Sequence, residues 1–130
     1  MSFKLRITAE RTPCVGTSEQ LLQKFREKQI TMVEVGNLPG FGDNTPWIHR
    51  CANYPGLMET QSFLMFCWHK FTTPEHACKF MINSHGITFG GNSLIAEGLH
   101  HNEMGFHEIL SKVREDLAAQ GILAAQGILL

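Results

Sequence analysis

The chain has 130 residues, 43% hydrophobic and 18% charged, with a formal net charge of −1. That length fits one domain able to bury a core without disulfides, and the composition excludes a disordered chain. The near-neutral balance argues mildly against tight nucleic-acid binding, since domains that live on phosphate contacts are usually basic, so a nucleic-acid reading has to rest on particular residues.

The first residues, MSFKLRITAERT, lack the apolar core of a secretory signal. No run approaches the ~18 apolar residues of a membrane span. Cys14, Cys51, Cys67 and Cys78 form no CxxC pair. They read as reduced, mostly buried thiols of an intracellular protein, cytoplasmic or nuclear.

In chain order, Phe3, Leu5 and Ile7 alternate with Lys4, Arg6 and Thr8, the period of a strand with one apolar face. Residues 11–16 read as a loop. Thr17 opens a helix with Gln20 three places on, a capping box, and Leu21, Leu22 and Phe25 form its apolar stripe. A second strand follows at about 31–36, with Val33 and Val35 on one face. Residues 36–62 are rich in Gly, Pro and Asn. They read as a long loop or irregular insert, pinned by Phe41, Trp47 and Tyr54.

Residues 63–71 alternate as a strand, with Phe63, Met65, Cys67, His69 and Phe71 on one face and Leu64, Phe66, Trp68 and Lys70 on the other. The next helix has Thr73 as N-cap, Pro74 at its first position and Gly86 just past its end. ITFGG is a turn, and residues 93–97 are a short fourth strand. A third helix is expected from about 102 to 117, with Phe106, Ile109, Leu110, Val113 and Leu117 as its stripe. Residues 117–128 hold LAAQGI twice, and residues 118–130 read as a tail to a single domain of residues 1–117. The expected fold is α+β: a ferredoxin-like βαββαβ sandwich with a four-stranded antiparallel sheet, helices on one face and an added C-terminal helix.

The stretch from 63 to 97 resembles the second half of an RNA recognition motif (RRM). LMFCWHKF, residues 64–71, puts Phe66, Trp68 and Phe71 at the third, fifth and eighth places of the family's aromatic strand motif. PEHA at 74–77 opens the following helix, and GITFGGNSL at 86–94 fits the turn into the last strand. Leu64 and Met65 stand where the family has a basic residue and Gly, and His69 where it has an aliphatic one. The resemblance implies that Phe66 and Trp68 are platforms for two bases. It implies that Lys4, Arg6 and Lys70 meet phosphates, with Arg6 at the first-strand place where the family usually offers a stacking ring. The implied role is a binding module for single-stranded RNA or a protein segment, with no cofactor, no membrane and no catalytic residue.

Other readings stay open. The same element order builds small dimeric α/β-barrel enzymes of the monooxygenase, cyclase or isomerase type, which pair two sheets around an apolar pocket, and a homodimer is possible on that ground. An assembly role through the C-terminal helix is another. Glu103 and His107, with His100 or His101, have a metal-compatible spacing but read more simply as a solvated helix start. His69 reads as a core histidine. GxGxxG, GxSxG and HExxH are absent.

Overall fold

The computed structural model describes residues 10–40, 42–100 and 106–119. The strand expected at 3–8, Phe41 and residues 101–105 and 120–130 lie outside them. The tail drawn at 118–130 therefore begins inside a helix and otherwise lies outside the described residues.

Strand β1 is Glu10–Pro13, where a loop was expected. Helix α1 is Ser18–Lys28 and β2 is Met32–Gly36. Then come α2, Thr45–Cys51, β3, Leu57–Ser62, and β4, Phe66–Phe71. Helix α3 is Pro74–Ser84. A small hairpin, β5 at Thr88–Phe89 and β6 at Asn92–Ser93, leads to β7, Ile95–His100, and α4, Phe106–Ala119.

Five strands form one antiparallel sheet in the order β1-β7-β2-β4-β3. Four of them carry the ferredoxin-like order, and the chain runs through them as β2-α2-β3-β4-α3-β7. The α+β ferredoxin-like class thus stands, with two corrections. The sheet has five strands among the described residues, and the βαββαβ unit starts at Met32, not near Phe3. β1 and α1 precede the unit, and β1 pairs along the outer edge of β7.

The segment 36–62 is no irregular insert, because it supplies α2 and β3. Its Gly and Pro residues cluster at the ends of these elements. Pro46 sits in the first turn of α2, where a missing N–H costs little. Trp47 and Cys51, four apart on α2, are both buried. β3 lacks apolar alternation because it is an edge strand, and its register shifts between Leu57 and Glu59.

Local chemistry sets the helix ends. The Thr17 hydroxyl accepts from the Gln20 N–H at 3.1 Å, and Gln20 Oε1 accepts from the Thr17 N–H at 2.9 Å. Thr73 caps α3 by accepting from the His76 N–H at 3.2 Å. In the hairpin, Gly90 and Gly91 take φ of 57° and 88°, the two positive values that a tight two-residue turn demands. Asn37 Nδ2 donates to the Ser93 carbonyl at 2.9 Å and Asn92 Nδ2 to the Asn37 carbonyl at 3.0 Å. This clasp ties the end of β2 to the hairpin.

The helix-side face of the sheet carries the core. Val33, Val35, Cys67, Phe71 and Ala96 bury against Leu21, Phe25, Ala77, Phe80 and Met81. Each large side chain so buried contributes about 1.5–3 kcal/mol. Phe25 lies on Gly98, where a Cβ would stand 2.7 Å from the ring's Cζ. An Arg26–Glu75 pair at 2.6 Å joins α1 to α3 at the surface.

His69 also faces this core and is fully buried. Trp47 Nε1–H donates to its Nε2 at 3.1 Å, and Thr60 Oγ1 lies 3.1 Å from its Nδ1. An indole only donates, so Nε2 is the acceptor and Nδ1 carries the proton. Burial pushes the His69 pKa down to about 3. It is a satisfied core histidine, as its sequence context suggested.

Candidate binding face of the sheet

The face away from α1 and α3 is built by alternation along the strands. Val33 and Val35 point into the core, so Met32 and Glu34 of β2 point out. On β4, Cys67, His69 and Phe71 point in, and Phe66, Trp68 and Lys70 point out. β3 adds Glu59 and Gln61, opposite Lys70 and Trp68. β7 adds Glu97, directly opposite Glu34.

Phe66 and Trp68 therefore share the outer face of β4, as expected from the sequence. They belong to an aromatic cluster. Phe63 stacks on Phe66 with centroids 4.7 Å apart and planes at 18°, and its ring meets Trp68 edge-on at 5.3 Å. β4 begins only at Phe66. A turn at residues 63–65, in which the Phe63 N–H donates to the Phe66 carbonyl at 2.9 Å, carries Phe63 to the outer cluster. The sequence had put it on the core side.

β4 lies between β3 and β2, so Trp68 is flanked by Gln61 on one side and Glu34 on the other. Lys4 and Arg6, the two N-terminal residues assigned to this face, lie outside the described residues. Trp68 Nε1–H donates to Glu34 Oε1 at 2.9 Å. Arg11, reaching in from β1, grips the same carboxylate with two nitrogens at 2.7 and 3.1 Å and reaches Glu97 Oε1 at 3.4 Å. Burial would lower the Arg11 pKa, but the two carboxylates raise it further.

Lys70, the remaining residue assigned to the face, is half-buried and donates to Thr31 Oγ1. Its burial lowers its pKa from the ordinary value. Helix α4 also reaches this side. Arg114 donates to Gln61 Oε1 at 3.3 Å and His107 lies 3.3 Å from Glu59. Trp68 is 0% exposed, while Phe66 is half-buried. The face holds an aromatic cluster, but in this conformation its central ring is closed off.

Glu34, Glu97 and Arg11 were not singled out in the sequence. The outward position of Glu34 was readable from Val33 and Val35. Its partnership with Trp68 was not, since it depends on which strand lies beside β4.

Among the described residues, no group of three or more His, Cys, Asp or Glu could hold a metal. His100 lies 3.6 Å from Glu10, and His107 pairs with Glu59. His101 and Glu103 lie outside the described residues. No helix among those described is long and apolar enough to cross a membrane.

No protein-family model matches the chain, and no curated protein matches it in sequence. Solved structures do match. The NMR structure of the C-terminal RRM domain of poly(U) binding 1 superposes with a TM-score of 0.53 at 19% identity, covering 71% of this chain and 93% of that one. At that identity the likeness speaks for architecture. The βαββαβ unit has an RRM-like fold.

Proposed function

We propose that this chain is a nucleic-acid-binding module of RRM type that meets single-stranded RNA on the outer face of β4. The observation that carries the reading is the placement of Phe66 and Trp68, adjacent outward residues on a central strand of an RRM-like sheet. Aromatic rings so placed stack successive bases, at ~1–3 kcal/mol per base. Lys70 on the same strand supplies positive charge for the backbone. The closed state of Trp68 makes binding conditional, because the cover over the face has to move aside. No catalytic role is assigned to any residue. Four unpaired thiols fit an intracellular setting.

One observation favours a second reading. Glu97 and Glu34 occupy the middle of the face, and a phosphate chain laid across them meets like charge. A protein segment meets no such penalty, so a peptide partner is the alternative.

The test is anisotropy of a mixed single-stranded RNA pool at two salt concentrations, with wild type and Phe66→Ala, and solution mass recorded alongside. The half-buried Phe66 is a safer target than Trp68. Salt-sensitive binding that drops in the variant supports the RNA reading. A folded monomer that binds no RNA shifts the reading to a peptide partner. A tight dimer without RNA binding shifts it to pairing between copies.

A further inference from the structure

Glu34 and Glu97 stand directly opposite each other on β2 and β7, both on the outer face. Like charges so placed repel. The fold resolves the conflict by setting the Arg11 guanidinium between them. Two of its nitrogens face the two oxygens of Glu34 at 2.7 and 3.1 Å, a fork-to-fork pair, and one of them also reaches Glu97 at 3.4 Å. The arrangement is a receptor for two parallel N–H donors. It lies against Trp68, whose indole N–H holds Glu34 Oε1 at 2.9 Å.

Among the four bases, guanine alone offers two parallel donors on its Watson–Crick edge, N1–H and the exocyclic amino group. The N–C–N unit bearing them is chemically a guanidine. Uracil offers one N–H between two carbonyl oxygens, which a carboxylate repels. Adenine and cytosine each place an amino group beside a ring acceptor.

We propose that Glu34 is the specificity-determining residue of the sheet face, reading guanine by the two-donor edge that Arg11 imitates in the unbound chain. The inference rests on the nucleic-acid reading above. A guanine on the aromatic cluster takes the Arg11 place on Glu34, and Glu97 accepts from the remaining amino hydrogen. The Arg11 side chain is 33% exposed, so its guanidinium has an exit to solvent while β1 stays paired. Arg11 is then a competitor of the base, and its removal strengthens binding.

The test uses the full chain and seven-nucleotide uridine strands whose central base is guanine, inosine, adenine, cytosine or uracil, titrated by fluorescence anisotropy at low salt. Inosine is guanine without the amino group, so this comparison needs no variant. A bidentate contact predicts that the guanine strand binds tighter than the inosine and uracil strands by on the order of tenfold. Glu34→Gln, which keeps an acceptor for Trp68, brings the five strands level. Arg11→Ala tightens the guanine strand more than the uracil strand. Equal affinity of wild type for all five overturns the guanine assignment and leaves the nucleic-acid reading standing. A preference for any other base also overturns it. A folded chain that binds none of the strands overturns both.

Discussion

Trp68 and Glu34 face each other across the β4–β2 pair, and the indole N–H of one donates to the carboxylate of the other at 2.9 Å. Trp68 is fully buried. Its N–H has no water to fall back on if Glu34 is lost. Glu34→Ala therefore destabilises by about 1–3 kcal/mol, the cost of a stranded buried donor. Glu34→Gln keeps an acceptor and costs less. Urea denaturation of the two variants checks the order, and equal losses would refute the role given to this hydrogen bond.

His69 predicts a pH dependence of stability. Its pKa is about 3 in the folded chain against an ordinary 6.5. The unfolded chain therefore takes up a proton first as pH falls. The contribution is complete above pH 6.5 and is lost between there and about pH 3. From pH 7 to pH 4.5 the loss is about 2–3 kcal/mol. Urea midpoints at the two pH values measure it. His69→Gln, which can still accept from Trp47, should be less stable at pH 7 but lose less on acidification than wild type.

Gly98 is a packing glycine. A methyl group there would press on Phe25 Cζ at 2.7 Å and on Ile30 Cγ2 at 3.2 Å. Gly98→Ala destabilises by about 1–3 kcal/mol through overpacking. If the clash is the cause, Phe25→Leu in the same chain recovers part of the loss. Additive losses in the double variant would rule that cause out.

The thiols should react in order of access. Burial pushes Cys51 and Cys67 up to about 12 and Cys78 up to about 11. Cys14 is partly exposed, and the other three are buried. At pH 8 iodoacetamide should modify Cys14 first, with the others reacting only on unfolding. Peptide mapping by mass spectrometry reads this directly.

The contacts of α4 should differ in weight. The His107 side chain is 76% exposed, so His107→Ala changes stability by less than about 0.5 kcal/mol. Arg114 is more enclosed and donates to Gln61, which pairs with Trp68 across the β3–β4 ladder. Arg114→Ala should raise acrylamide quenching of tryptophan fluorescence, while His107→Ala leaves it unchanged. Identical quenching in both variants and wild type would show that α4 does not guard Trp68.

Much of this fold was written in local chemistry. The capping box at Thr17 and Gln20, the Thr73–Pro74 start of α3 and the Val33–Val35 face all form where the sequence places them. Each depends on neighbours within four residues. The start of the βαββαβ unit does not. The alternation of Phe3, Leu5 and Ile7 resembles a first strand as well as Met32–Gly36 does, and only the pairing of β2 with both β4 and β7 decides between them. α2 was obscured because a seven-residue helix between glycines and prolines shows barely two turns of periodicity. β3 was obscured because an edge strand has no need for apolar alternation. The binding face followed the same rule. Phe66 and Trp68 were legible from their own strand, whereas Glu34, Glu97 and Arg11 meet only through three different strands.

The two ends of the sheet also bear on self-association. Among the described residues, one end is β1, which closes with Pro13, a residue with no N–H to offer another chain. The other is β3, whose ladder breaks between Leu57 and Glu59 and whose Glu59 is engaged by His107. Among the described residues, neither presents the long flat row of unpaired groups on which fibres grow. Along the described residues both edges are interrupted, and the interruption at Pro13 lies on the same strand that carries Arg11 to the carboxylates.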